Sequence, residues 1–193
     1  MSTGTGSVDL VGDETVENVA RTALFAALVG AFAYVSFPNP FSTAPITLQV
    51  LGVFLAGIML GPVWGGASMV LYLLAGALGA PVFSGGSAGV GALLGPTGGY
   101  LWSYPIAAAV TGVIVHGGLA LDDPRRAGLA RLVGGMVAGT AIIYALGIAG
   151  LMVVLGMGPV TAFVQGAAAF IPAEAFKIAA AVGIVRSDAV AAE

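Results

Sequence analysis

Long apolar runs alternate along this chain with short clusters of glycine, proline, serine and threonine. A helix needs roughly 20 apolar residues to cross a bilayer, and six runs approach that length. They are read as helices at about Val16–Val35, Ile46–Leu60, Val63–Ala80, Gly99–Leu119, Arg131–Gly156 and Phe170–Val185. Gly61-Pro62 divides the second from the third, and Pro81 closes the third. Backbone groups in lipid must bond within their own segment, so such runs favour helices. The residue-by-residue alternation of a membrane barrel is absent. The pattern predicts an all-α integral membrane protein with six transmembrane helices. It divides into a soluble acidic tail over residues 1–15, a membrane domain over 16–187 and a short tail over 188–193. No internal repeat is found, which speaks against an inverted-repeat transporter with broken helices in both halves.

Charge sharpens this picture. Of 193 residues, 8% are charged and 59% hydrophobic, with a mean hydropathy of +1.04. A soluble domain carries about 25% charged residues. No Asp, Glu, Lys or Arg occurs from Thr22 to Leu121, and only Glu174 and Lys177 break the stretch from Leu132 to Val185. Arg21, Arg125, Arg126, Arg131 and Arg186 fall on one side of a six-span arrangement, the side that also holds both termini. The opposite loops, Ser36–Pro45, Pro81–Thr97 and about Gly156–Ala169, carry no Lys or Arg. The positive-inside rule then predicts a multi-pass protein of the cell membrane with cytoplasmic termini. The absence of cysteine excludes disulfides and thiolate chemistry. The N-terminal stretch has no basic region leading into a short apolar core, so it reads as a tail and not as a signal peptide.

The stretch "FSGGSAGVGALLGPTGGYLW", Phe83 to Trp102, is rich in glycine and free of charge. It is not a phosphate-binding loop, because no lysine follows "GPTGG". The dinucleotide fingerprint also fails, since Gly89-Val90-Gly91 lacks the third glycine and a surrounding βαβ unit. A slack linker would not carry Val82, Phe83, Leu93, Leu94, Tyr100 and Trp102. Apolar residues interleaved with glycines point to a loop folded down on the helices. Glycines let backbone groups approach a ligand, and aromatic rings supply a flat wall. Such a cavity suits a small, largely uncharged organic ring.

Glu174 and Lys177, three residues apart in "FIPAEAFKIAAA", share one face of a helix that Pro172 can start. A charge at mid-membrane costs roughly 2.5–3.5 kcal/mol on insertion scales, so the two are expected to be paired, at the interface or facing a cavity. A carboxylate accepts from ligand N–H groups and an ammonium holds a ligand carboxylate. Gln49, in "PITLQVLG", needs a partner from another helix or from the cavity. His116 reads as a satisfied interfacial or core residue. With no companion His or Cys, no metal site is expected. Ala23, Ala27 and Ala31 recur at spacing four in "ARTALFAALVGAFAY". A small-residue face of this kind serves either packing within the bundle or docking of another membrane subunit.

Taken together, "PITLQVLGVFLAGIMLGPVWGGASMVLYLLAGALGAPVFSGG", "LLGPTGGYL" and "FIPAEAFK" resemble the BioY family, the biotin-binding S components of energy-coupling factor transporters. The similarity spans the chain from the first helix to the sixth. It implies a six-helix S-component bundle that captures biotin on the outer face, without a resident cofactor or enzymatic activity. It implies partnership with a membrane coupling subunit and ABC-type ATPase subunits, which fits the lack of a Walker motif here. By resemblance, Gly85, Gly86, Thr97, Tyr100 and Lys177 belong to the ligand site, with Glu174 at the acidic position. Gln49 joins them as a candidate. Ala23, Ala27 and Ala31 match the family's face for the coupling subunit. Where the family reads Pro-Gly-Asp-x-x-Lys, this chain reads Pro-Ala-Glu-Ala-Phe-Lys. The competing readings are an S component for thiamine or riboflavin, a solitary carrier or channel, and a membrane enzyme; the last lacks a nucleophile–base set.

Overall fold

The computed structural model describes residues 12–42 and 44–187. Both predicted tails therefore lie mostly outside the described residues. Helix α1 spans Asp13–Phe32 and so begins a little before the expected boundary. A two-residue antiparallel pairing of β1 (Ser36–Phe37) with β2 (Ile46–Thr47) closes the loop that follows. Then come α2 (Gln49–Ala77), α3 (Val90–Leu94), α4 (Gly98–His116), α5 (Leu129–Leu155), α6 (Pro159–Gly166) and α7 (Ile171–Arg186). Pro172 stands in the first turn of α7, where its missing N–H costs nothing.

The division at Gly61-Pro62 proves sharper than a kink. Gly61 adopts φ 73° and ψ −177°, a conformation open to glycine and not to L side chains. The chain reverses there, and α2 is a helical hairpin of two arms. Gln49 on the first arm hydrogen-bonds Tyr72 on the second at 2.6 Å. In a straight helix, 23 residues at 1.5 Å each would hold them about 34 Å apart. Among the described residues, four helical stretches are long and apolar enough to cross a membrane, with α2 taken as one and residues 159–186 as another. Counting the two arms of α2 separately and adding α1, the least apolar of the set, gives the six expected spans: α1, two arms, α4, α5 and α7.

The hairpin turn explains His116. Pro62 has no N–H, so the carbonyl of Ile58, four residues earlier, loses its helical donor. His116 Nε2 fills that vacancy at 2.9 Å, while its Nδ1 accepts from the backbone N–H of Asp122 at 3.2 Å. The second bond assigns the proton to Nε2. His116 is thus a buried fastener between the hairpin turn and the following loop, as its isolation implied.

Helix α4, 19 residues and about 28 Å long, runs the thickness of a bilayer core. At its start gather the loops read as free of basic residues. At its end lie Arg125, Arg126 and Arg131, joined by Arg186 through its 2.9 Å bond to the Ala127 carbonyl. The loops at the first end hold more structure than expected, namely α3 and α6. The glycine-rich stretch is folded down as predicted. Phe83 seats its ring against Gly76, which has no side chain to obstruct it. Gly89 N–H bonds the Gly76 carbonyl at 2.7 Å, and Trp102 Nε1 bonds the Leu93 carbonyl at 3.1 Å.

Candidate functional site

At the basic-poor end a cavity of about 60 Å³ opens among α2, α4, α5 and α7. Five of the residues singled out in sequence line it: Gln49, Thr97, Tyr100, Glu174 and Lys177. They come from three different spans, so only folding brings them together. Gly85 and Gly86 are not in the lining. They carry the positive-φ turn beside it, and their neighbour Ser84 faces the cavity instead. Ala44, Pro45 and Thr47 cap it from the loop after α1, and Tyr104, Ile143, Tyr144 and Phe170 complete its walls.

Helical spacing puts Glu174 and Lys177 on one face, and packing buries that face; they are 5% and 4% exposed. Lys177 Nζ donates to Glu174 Oε1 at 2.7 Å. Pairing answers the desolvation of both charges. It leaves one carboxylate oxygen over. Glu174 Oε2 is buried with no hydrogen-bond partner, and so are Tyr144 OH and Ser84 Oγ. Buried polar side-chain atoms are rarely left unpaired. Among the described residues four such atoms occur, and three of them belong to residues lining this one cavity. The fourth, Thr22 Oγ1, belongs to a residue outside it.

The remaining polar groups are already engaged and serve as framework. Thr47 Oγ1 donates to Gln49 Oε1 at 2.9 Å, Gln49 Nε2 to Tyr72 OH, and Tyr72 OH to the Val82 carbonyl at 3.0 Å. Gln49 therefore does both things its position allowed: it borders the cavity and is tied to a neighbouring helix. Tyr100 OH donates to the Gly166 carbonyl at 2.7 Å, which fixes its ring as wall. Asn39, in the capping loop, accepts from Phe41 N–H at 3.1 Å and donates to the Ala169 carbonyl at 3.3 Å. It pins that loop to the α6–α7 connection.

Sequence reasoning passed over Ser84, Tyr104 and Tyr144. Tyr144 had a readable signal: a phenol in the middle of a 27-residue apolar helix, far from either interface where tyrosine usually sits. Among the described residues no cluster of His, Asp or Glu could hold a metal ion.

On α1, Ala26, Val29 and Ala33 are buried against the bundle, while Ala23, Ala27 and Ala31 are exposed on the other side. The alanine stripe is thus not used for packing within this chain.

A membrane-spanning bundle that encloses a mostly apolar cavity, finished by one ion pair and three spare polar atoms, defines a protein that captures a small organic solute. The chain belongs to the BioY family, whose model matches residues 5–192. It is 40% identical over 170 residues to a biotin transporter BioY of Rhodobacter capsulatus, covering 83% of this chain and 87% of that one. With a biotin transporter BioY of Rhizobium etli it shares 37% identity over 169 residues, 84% of this chain and 88% of the relative. The fold matches a crystal structure of the S-component for biotin from an ECF-type ABC transporter with a TM-score of 0.78. That match covers 92% of this chain and 93% of that one at 24% identity.

Proposed function

We propose that this chain is the biotin-binding subunit of an ATP-driven importer. It captures the vitamin at the cavity end and hands it on with an energy-coupling module. The observation that carries the reading is the convergence of Glu174 Oε2, Tyr144 OH and Ser84 Oγ, all without partners, on one cavity. A carboxylate oxygen only accepts, and a hydroxyl both donates and accepts. The cyclic urea of biotin offers two N–H donors and one carbonyl, which such a set satisfies. Tyr100, Tyr104, Ile143 and Phe170 offer apolar surface to the sulfur ring and its chain. Lys177 supplies the cation of the site.

The cavity is well below the 300–1,000 Å³ of typical ligand pockets. Biotin must therefore displace the cap formed by Ala44 and Pro45, and the Asn39–Ala169 contact is the bond to be broken. Enclosure under the returned cap holds the ligand, and reorientation of the whole subunit on its partners releases it. The basic end faces the cytoplasm with both termini. The exposed Ala23, Ala27 and Ala31 form the face for the membrane coupling subunit, which binds the ATPase subunits in turn. Small residues there let two helices approach closely.

Titration of detergent-solubilised protein with biotin, using thiamine and riboflavin as competitors, tests the reading. Saturable binding that neither competitor displaces is expected; displacement by either vitamin transfers the site to that ligand. Ala27→Leu is expected to abolish co-purification with the coupling subunit while leaving the biotin Kd unchanged.

A further inference from the structure

A second pocket, of about 290 Å³, lies at the opposite end of α4, some 28 Å from the first along the helix. It is lined by Val115, His116, Asp122, Asp123, Arg126, Ala127 and Arg131. Its polar groups fall into two sets. His116 has both ring nitrogens bonded, and Asp123 is held by Arg125 at 3.2 Å and by Arg126 at 3.7 Å. Asp122 and Arg131 differ: among the described residues neither has an ion-pair partner, and they do not reach each other although they border the same space. The Arg131 guanidinium lies over Gly117, where α4 ends in a left-handed turn. In the loop that carries these residues and at the start of α5, Leu119, Leu121 and Leu129 are exposed. Guanidinium groups beside bare leucines, at the end of a membrane-length helix, mark the level at which lipid headgroups meet acyl chains.

We propose that this pocket binds the headgroup of an ethanolamine phospholipid. The phosphodiester sits on Arg131, with the exposed Arg126 turning from its long 3.7 Å contact with Asp123 to join it, the primary ammonium meets Asp122, and the acyl chains lie along Leu119, Leu121 and Leu129. Arginine presents a planar fork suited to phosphate oxygens. Asp122 separates this headgroup from choline, which has no N–H to donate, and from glycerol, which carries no positive charge. A soluble phosphate would use the arginines and leave Asp122 and the leucines idle.

Native mass spectrometry of the full chain, released from nanodiscs of equimolar phosphatidylethanolamine, phosphatidylcholine and phosphatidylglycerol, tests this. One ethanolamine lipid is expected to be retained in preference to the other two. Arg131→Gln should lower that retention about fivefold, the effect of one interfacial cation. Arg126→Gln, at a largely exposed side chain, gives a second test less exposed to folding failure. Asp122→Asn should leave phospholipid bound but erase the preference for ethanolamine over choline. Biotin titration of each variant checks that it is folded. Equal retention of all three lipids, a pattern unmoved by Arg126→Gln and Arg131→Gln, or displacement of the lipid by millimolar inorganic phosphate overturns the proposal.

Discussion

Glu174–Lys177 and Asp123–Arg125 are both carboxylate–cation pairs between near neighbours in sequence, yet they sit in different solvents. The first closes at 2.7 Å with side chains 6% and 5% exposed. The second closes at 3.2 Å with side chains 33% and 41% exposed. Water and salt compete with the loop pair, which makes it a weak contributor. The buried pair cannot turn to water, so each partner depends on the other and on whatever else enters the cavity. Proximity in sequence makes both pairs; only burial sets one of them into the wall of a cavity.

The largest effect is expected from Lys177→Ala. It strands a buried carboxylate, which costs about 3–5 kcal/mol, and it should weaken biotin binding by at least about 100-fold. Thermal unfolding and biotin titration read the two effects separately. Replacing both partners, Glu174→Leu with Lys177→Met, should restore much of the stability, because an apolar pair of similar volume is tolerated where a lone charge is not. It should not restore binding. Recovery of affinity in that double variant would remove the pair from the ligand site.

Glu174→Gln keeps shape and loses charge. A hydrogen bond to a charged group contributes about 1.5–3 kcal/mol, so the biotin Kd should rise about tenfold to one hundredfold in the same titration. Tyr144→Phe comes next. Its hydroxyl lies beside the Glu174 carboxylate without a hydrogen bond of ordinary geometry, so removing it should change the melting temperature little. The Kd should rise about fivefold, the worth of one neutral hydrogen bond of about 1 kcal/mol. A fall in melting temperature without change in Kd would assign Tyr144 to the framework.

The smallest effect belongs to the loop. The Arg125 backbone N–H, and then its guanidinium, hold the Asp123 carboxyl below its ordinary value. A depressed carboxylate contributes stability that is present above the unfolded value, near 4, and is lost as pH falls through the folded one. Melting curves from about pH 5 downward should therefore fall slightly more steeply for the native chain than for Asp123→Asn. At neutral pH the native chain should melt slightly higher than Asp123→Asn, and the two should converge at low pH. A large shift at neutral pH would mean that the loop pair is not governed by solvent.

Much of this was legible residue by residue. The spans followed from apolar run length, the charged face of α7 from a spacing of three, and the break at Gly61 from the one dipeptide able to make it. His116 was readable as satisfied because nothing nearby in sequence could make it reactive. The glycine-rich stretch announced that backbone would approach something closely. It could not announce that Ser84, and not Gly85 or Gly86, would face the cavity, because that choice depends on the Phe83 ring seating on Gly76 of another helix.

Local patterns therefore determined which segments enter lipid, which end gathers the arginines and which two charges share a face. All of these are set by the solvent preference of neighbouring residues. Tertiary structure alone decided that Ser84, Tyr144 and Glu174 meet. These residues lie 60 and 30 positions apart in sequence, and side chains from separate helices converge only after those helices pack. It also decided that the α1 alanines face away from the bundle. Apolar run length is indifferent to the direction a helix face points, and packing is not.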